Sequence, residues 1–192
     1  VVPPVAPVAV NDTSSGPLNT AQIKTVLAND TTAAGVTLTA TSVKLCASAQ
    51  TSPNCNATSV TIANQGTYTV DTATGIVTFA ADPNATSGPK TPITYQVTDV
   101  TGQSATDTLT PIIPPPPAAD DETSTGAFNT PQAPIDVLLG DTPGDPAAPL
   151  DPDTLRLCDP STTPPQTGAT CVETTVTTAD GTYEIVDGKV VF

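Results

Sequence analysis

The side chains that most often carry out catalysis are scarce in this chain. Histidine is absent, so neither a Ser-His-Asp nor a Cys-His arrangement can be assembled within it. Only three glutamates occur (Glu122, Glu173 and Glu184), and no two acidic residues stand out as a general acid and base. The sequence leaves a Ser-Lys dyad open but contains no motif for one. It therefore predicts a protein that is not an enzyme and, calcium apart, needs no cofactor.

Four cysteines could in principle form disulfides, bind zinc or take part in redox chemistry. They are Cys46, Cys55, Cys158 and Cys171. Their spacing fits no zinc finger, histidine is lacking, and the C-x-x-C motif of redox proteins is absent. Structural disulfides are therefore predicted, and such bonds persist in an oxidising, extracellular setting.

A duplicated module organises these residues, with an offset of roughly 110 positions. Asn11-Asp12 aligns with Asp120-Asp121. Further matching phrases are VLANDT and VLLGDT, LTATSVKLC and LDPDTLRLC, and GTYTV and GTYEI, in the same order in both copies. Each copy holds one pair of cysteines. Of the three possible pairings, the repeat therefore favours Cys46 with Cys55 and Cys158 with Cys171.

Carboxylates that recur near the start of each copy could hold calcium, because this ion prefers oxygen ligands. The candidate ligands are Asp12, Asp30, Asp120, Asp121 and Asp141. The alternative is that these residues form turns by hydrogen bonding to their own backbone. Gly140 replaces Asn29 in the second copy and no D-x-D-x-D-G loop is present, which favours turns.

A covalent Lys–Asn or Lys–Asp cross-link is a further possibility for a surface sandwich. Lys24 has no counterpart in the second copy, and Lys44 aligns with Arg156, which cannot form such a bond. The sequence therefore predicts that this cross-link is absent.

Short alternating apolar runs predict an all-β protein. The 22 prolines and 12 glycines separate strands such as Val43–Leu45, Val60–Ile62 and Ile93–Val97. Tyr68–Val70 and Val77–Phe79 predict a hairpin, and Asp187-Gly188 predicts a type I′ turn in the corresponding hairpin of the second copy. The expected fold is a tandem pair of immunoglobulin-like sandwiches. The first spans 1–113 with a proline-rich lead-in at 1–10, a proline-rich linker covers 114–119, and the second spans 120–192 and lacks its last strands.

The net charge of −14, from 19 acidic and 5 basic residues, disfavours nucleic acid and anionic membrane surfaces as partners. No apolar run approaches the length of about 18 residues that a membrane-spanning helix needs. No membrane insertion of this segment is therefore expected.

The phrases VLANDT, GTYTVDTATGIVTF and TPITYQVTDVTGQSATDTLT resemble the CshA-type fibril repeat of bacterial surface adhesins. They are similar, more loosely, to cadherin-like and immunoglobulin-like repeats of large bacterial surface proteins. The resemblance covers 1–113 fully and 118–192 as far as the second copy extends, and the cysteine pair departs from its plainest form. It implies extracellular tandem modules that form a stalk or fibril, with neighbouring repeats as partners and no active site.

Two other functions remain as hypotheses. The loops Ala47–Asn54 and Asp159–Thr170, each bracketed by cysteines, could bind a host protein or glycan, because exposed loops on a rigid scaffold often carry recognition. Alternatively, a second copy without its last strands would expose an unpaired edge, and a strand from another chain could complete it and build a fibre.

Overall fold

The computed structural model describes residues 4–48 and 50–192, and its contacts divide the chain into two units. The first unit ends at Pro115 and the second spans Pro116–Phe192. Both are built from β-strands, and the helical pieces of the described residues are single 3-10 turns: Val26–Ala28, Ala40–Ser42, Pro152–Thr154 and Gly168–Thr170. Of the lead-in predicted at 1–10, residues 1–3 lie outside the described residues. The all-β prediction is confirmed.

Nine strands form the two sheets of the first unit. They are β1 (Asp12–Ser15), β2 (Gln22–Lys24), β3 (Lys44–Leu45), β4 (Ser59–Ile62), β5 (Gly66–Val70), β6 (Val77–Ala81), β7 (Gly88–Pro89), β8 (Ile93–Thr98) and β9 (Ser104–Ile113). One sheet has the order β1-β9-β8-β3, with β7 also paired to β9, and the other has the order β2-β6-β5-β4. Strand β1 runs parallel to β9, while the other pairs are antiparallel. This two-sheet arrangement is a β-sandwich.

The core lies between these sheets and is small because the chain has few aromatic residues. Alternate residues of β5, β6 and β8 point inward, as the period of two in their apolar pattern predicts. The core residues are Val26, Val43, Leu45, Tyr68, Val70, Val77, Phe79, Ile93, Tyr95 and Leu109. The predicted hairpin β5–β6 and the predicted strands β4 and β8 are confirmed.

A single three-stranded antiparallel sheet forms the regular part of the second unit. Its strands are β10 (Thr175–Thr178), β11 (Gly181–Val186) and β12 (Lys189–Val191). The turn between β11 and β12 has φ values of 50° at Asp187 and 71° at Gly188, as a type I′ turn requires, so that prediction is confirmed. These strands correspond to β4, β5 and β6, and the described residues of this unit contain no counterpart of β8 or β9.

Leu155 and Leu157 alternate with polar residues as Val43 and Leu45 do, which predicts a strand in the second copy, and this prediction is wrong. Leu157 makes only an isolated bridge to Glu173. In the first unit, the equivalent strand β3 pairs with β8, and the second unit has no such partner among its described residues. The same difference exposes side chains that would otherwise be buried, since Tyr183 is 37% exposed whereas Tyr68 is fully buried.

The alignment of Asn11-Asp12 with Asp120-Asp121 is also wrong, by one residue. The Ser14–Gln22 side-chain hydrogen bond has its counterpart in Ser124–Gln132. This relation places Asp121 opposite Asn11 and Glu122 opposite Asp12. The error arose because the match rested on residue type alone, an acidic or amide pair in each copy, whereas the shared hydrogen bond fixes the register.

The repeated GTY phrase marks a glycine packed against an aromatic ring on the neighbouring strand. A Cβ atom at Gly66, where φ is +150°, would lie 2.7 Å from the ring of Phe79. At Gly181 it would lie 2.6 Å from the ring of Phe192. The tyrosine two positions later packs against the same ring, with centroids 4.8 Å apart for Tyr68 and Phe79. The phrase therefore recurs because both hairpins depend on this contact.

Gly66→Ala should destabilise the first unit more than Gly102→Ala. At Gly102, where φ is +85°, an added Cβ atom would meet no other group within 4 Å. Its substitution therefore adds only backbone strain of about 1–2 kcal/mol. At Gly66 a Cβ atom would meet the backbone carbonyl of Ala80 even more closely than the Phe79 ring at 2.7 Å, and this overpacking should add about 1–3 kcal/mol. Urea unfolding followed by circular dichroism measures both variants, and equal losses would contradict the ring-packing explanation.

Candidate functional site

The proline-rich lead-in segment of the first unit, residues 4–11, is bonded to the body of that unit. Val8 and Thr31 exchange two backbone hydrogen bonds of 2.8 and 2.9 Å. Val10 donates its backbone N–H to Asp30 Oδ1 at 2.8 Å, and the Asn29 side chain donates to the carbonyl of Val10 at 3.3 Å. The lead-in segment is therefore part of the module rather than a free spacer.

Tyr95 lies at the centre of these bonds between the lead-in segment and residues 29–31, which together are called the anchor. It is fully buried on β8, and its hydroxyl is 2.9 Å from Asp30 Oδ1, 3.0 Å from the Val10 carbonyl and 3.4 Å from the Val26 carbonyl. Burial, and then the hydrogen bond to the Asp30 carboxylate, raise the pKa of Tyr95, so the hydroxyl keeps its proton and acts as a donor. Tyr95 thus holds the lead-in segment and the 26–30 segment together.

Asp12 and Lys24 form a salt bridge next to this anchor. The Asp12 side chain is 1% exposed, and its Oδ1 atom is 3.1 Å from Nζ of Lys24, whose side chain is 32% exposed. Burial raises the pKa of Asp12 although Lys24 opposes the shift, and burial likewise raises the pKa of Asp30. Because Asp12 is on β1 and Lys24 is on β2, the pair joins the two sheets.

The second unit repeats the anchor in a reduced form. Ala118 and Thr142 exchange two backbone hydrogen bonds, as Val8 and Thr31 do. Asp120 donates its backbone N–H to Asp141 Oδ1 at 2.8 Å, as Val10 does to Asp30. Tyr95 has no counterpart in the described residues of this unit. The last aspartate of VLANDT and of VLLGDT thus has the same role in both copies.

The candidate calcium ligands divide between these two anchors. Asp12 and Asp30 lie in the first, whereas Asp120, Asp121 and Asp141 lie in the second. Within the described part of the chain, no three His, Cys, Asp or Glu side chains come together to hold a metal ion. Asp30 and Asp141 each accept a backbone N–H from about twenty residues away. This arrangement fits hydrogen bonding better than coordination of calcium.

The turn hypothesis does not describe Asp30 and Asp141. Their partners are distant in sequence, so they are not turn residues bonded to their own backbone. Asp71, Asp82 and Asp99 do behave in that way, since each accepts the N–H of the residue two positions later. The recurrence of an aspartate at the same place in both copies was the available signal, but it did not reveal the partner.

Both units contain a disulfide. Cys46 is joined to Cys55 and Cys158 to Cys171, with sequence separations of 9 and 13 residues. The first bond connects the end of β3 in one sheet to the segment that leads into β4 in the other. In the chain-entropy model, closing loops of this length stabilises by about 2–3 kcal/mol, a large share of the free energy of unfolding of a small domain.

Comparison with known protein families finds a match that covers the first unit. The model of the surface adhesin CshA repetitive domain matches residues 4–113. The chain belongs to the CshA repeat family. No curated protein and no solved structure matches it. The matched residues run from the lead-in segment to the end of β9, so the lead-in segment and its anchor lie inside the CshA repeat. No helix in the described residues is long and apolar enough to cross a membrane.

Tyr95→Phe should destabilise the CshA repeat more than Tyr68→Phe. Loss of the Tyr95 hydroxyl removes its hydrogen bond to the Asp30 carboxylate, and a bond to a charged acceptor is worth about 1.5–3 kcal/mol. Tyr68 donates only to the Thr91 carbonyl at 2.7 Å, a neutral acceptor, so its loss should cost about 0.5–1.5 kcal/mol. Thermal or urea unfolding of the two variants measures the difference, and a reversed order would show that Tyr95 does not hold the anchor.

Proposed function

We propose that this chain is a structural repeat in the stalk or fibril of an extracellular bacterial surface adhesin. Membership of the CshA repeat family supports a place in a surface adhesin. Neighbouring repeats of the same protein are then its principal partners. In this role the repeat carries no active site, and it bears tension between the cell and whatever the adhesin contacts.

The parallel pairing of β1 with β9 is the observation that carries this proposal. The register runs from Asp12 opposite Leu109 to Ser15 opposite Ile112. Because the first and last strands run side by side in the same direction, the chain enters the module at one end and leaves at the opposite end. Tension applied through the two ends then loads the hydrogen bonds between β1 and β9 together, in shear, rather than one after another.

Two further features support a tension-bearing role. The anchor at Asp30 and Tyr95 joins the lead-in segment to the module, so that force from the preceding part of the chain reaches β1 through several hydrogen bonds. The disulfide between Cys46 and Cys55 joins the end of β3 to the segment before β4 and prevents full extension of the loop that it closes.

A binding function of the disulfide-closed loops is the second candidate. In the first loop Gln50 accepts the N–H of Ala47 at 3.0 Å and donates to the Asn56 side chain at 2.8 Å, while Ala49 lies outside the described residues. In the second loop Gln166 accepts the N–H of Asp159 at 2.9 Å. Internal bonds of this kind hold a loop in a defined conformation, as recognition of a host protein or glycan requires.

Replacement of loop residues separates the two functions. In the parent surface protein, residues 47–54 and 159–170 are replaced by short Gly-Ser turns, with all four cysteines kept. A structural repeat predicts unchanged attachment of cells to host ligands. Loss of attachment, with the free energy of unfolding unchanged, would contradict the proposal and favour the binding function.

Deletion of the first repeat tests the structural role itself. Removal of residues 4–113 from the parent protein should shorten its projection from the cell surface, measured by electron microscopy, and leave the affinity of its adhesive part in solution unchanged. An unchanged projection would contradict a role in a stalk.

A further inference from the structure

The Lys24–Asp12 pair differs from an ordinary surface ion pair because its carboxylate is buried. The Asp12 side chain is 1% exposed, and neither of its carboxylate oxygens has a hydrogen-bond partner in this structure. Buried carboxylates normally accept several hydrogen bonds, because burial of an unpaired charge is costly. Here the amine of Lys24, 3.1 Å from Oδ1, is the group that faces this carboxylate.

A second buried carboxyl lies beside the pair. Asp30 Oδ2 is buried without a hydrogen-bond partner, while Asp30 Oδ1 is held by Tyr95 and by the N–H of Val10. The charge of Asp12 is close enough to raise the pKa of Asp30, which adds to the larger effect of burial. One amine, one carboxyl group to react with it and one carboxyl group that can carry protons are thus gathered in a site largely shielded from water.

We propose that Lys24 and Asp12 form an intramolecular isopeptide bond that covalently joins the two sheets of the first unit. This inference stands on the geometry of the first unit and does not depend on the proposed function.

The reaction balances without an oxidant or a cofactor. A proton passes from the Lys24 ammonium to the Asp12 carboxylate, a step that burial of the charges favours. The free electron pair of Nζ then attacks Cγ of Asp12, and a new C–N bond forms. The C–O bond to one carboxyl oxygen breaks as the proton lost from Nζ is delivered to that oxygen through the Asp30 carboxyl group. One water molecule leaves, and the product is an amide.

The absence of a counterpart in the second unit does not weigh against this bond. Glu122 stands opposite Asp12 there, and Pro134 and Ile135 occupy the region that corresponds to Lys24. Neither of these two residues has a nucleophilic side chain. The lack of a lysine in the second copy would exclude the cross-link only if both copies had to contain it. The chemistry needs only the residues of one copy.

Intact mass spectrometry of the reduced, denatured chain tests the proposal. The chain should be lighter than its sequence mass by one water molecule, and digestion should yield a branched peptide in which residues 12 and 24 are linked. Lys24→Arg keeps the positive charge but cannot form the amide, so it should have its full sequence mass. Lys44→Arg, the matched control on another lysine, should still lose one water molecule.

Two further variants examine the mechanism. Asp12→Asn should release ammonia instead of water if it reacts, so its mass deficit identifies the leaving group. Asp30→Asn removes the proton carrier and should leave most of the chain at full mass, while Asp71→Asn, a change of an acid in the turn between β5 and β6, should react as the unchanged chain does. Because the mass is read on denatured protein, circular dichroism before denaturation suffices to show that each variant had folded.

Two outcomes would overturn the proposal. The first is a full sequence mass for the unchanged, folded chain after prolonged incubation, with no branched peptide. The second is a loss of water that maps to Asp180-Gly181 or Asp187-Gly188, since Asp-Gly sequences can also lose water by closing on their own backbone. Mild alkali reverses that ring closure and restores the mass, whereas it leaves an isopeptide bond intact.

Discussion

The parallel pairing of β1 with β9 is the constraint on which the rest of the first unit depends. It brings the start and the end of the repeat side by side over four residue pairs, although they are about ninety-seven positions apart in the sequence. It buries the side chain of Asp12 and places it next to Lys24 of the opposite sheet. It also fixes where the lead-in segment ends, so that Val10 reaches both Asp30 and Tyr95.

Polar contacts carry an unusual share of this structure because its apolar core is thin. Ten residues form the buried core cluster, and Tyr68, Phe79 and Tyr95 are its largest members. Tyr95 belongs both to that core and to the polar anchor, since its ring packs inside while its hydroxyl bonds to the lead-in segment. A well-connected polar network specifies one arrangement more sharply than apolar packing alone. The disulfide also restricts the conformations of the unfolded chain, so that folding loses less conformational entropy.

Features that depend on neighbouring residues could be predicted from the sequence. The alternation of Tyr68, Val70, Val77 and Phe79 indicated a hairpin, and Asp187-Gly188 indicated its turn, because both signals arise from local backbone geometry. The all-β fold class follows from the same alternation. The CshA repeat family was predicted from phrases that the family match covers.

Features that depend on distant partners could not be predicted in the same way. Nothing local in Asp12–Ser15 indicates that it pairs with Leu109–Ile112, and the strand expected at Leu155–Leu157 is missing because its stability would come from a partner strand. The partners of Asp30 and Asp141 lie twenty and twenty-one residues away, so the turn hypothesis did not describe them. The one-residue error in aligning Asp12 arose because its match to Asp121 rested on residue type alone, and only the bond that Gln22 and Gln132 share reveals the register.

Single-molecule force spectroscopy tests the central claim most directly, with the first unit pulled in two directions as its Lys24→Arg variant, in which no Lys24–Asp12 bond can carry the load around β1. Tension through the N-terminus and Pro115 loads the β1–β9 pair in shear, whereas tension through the N-terminus and a handle at Thr101, in the turn before β9, peels β1 away from one end. A repeat built to bear tension along its chain predicts a markedly higher unfolding force in the first direction. Equal forces in the two directions would contradict the account.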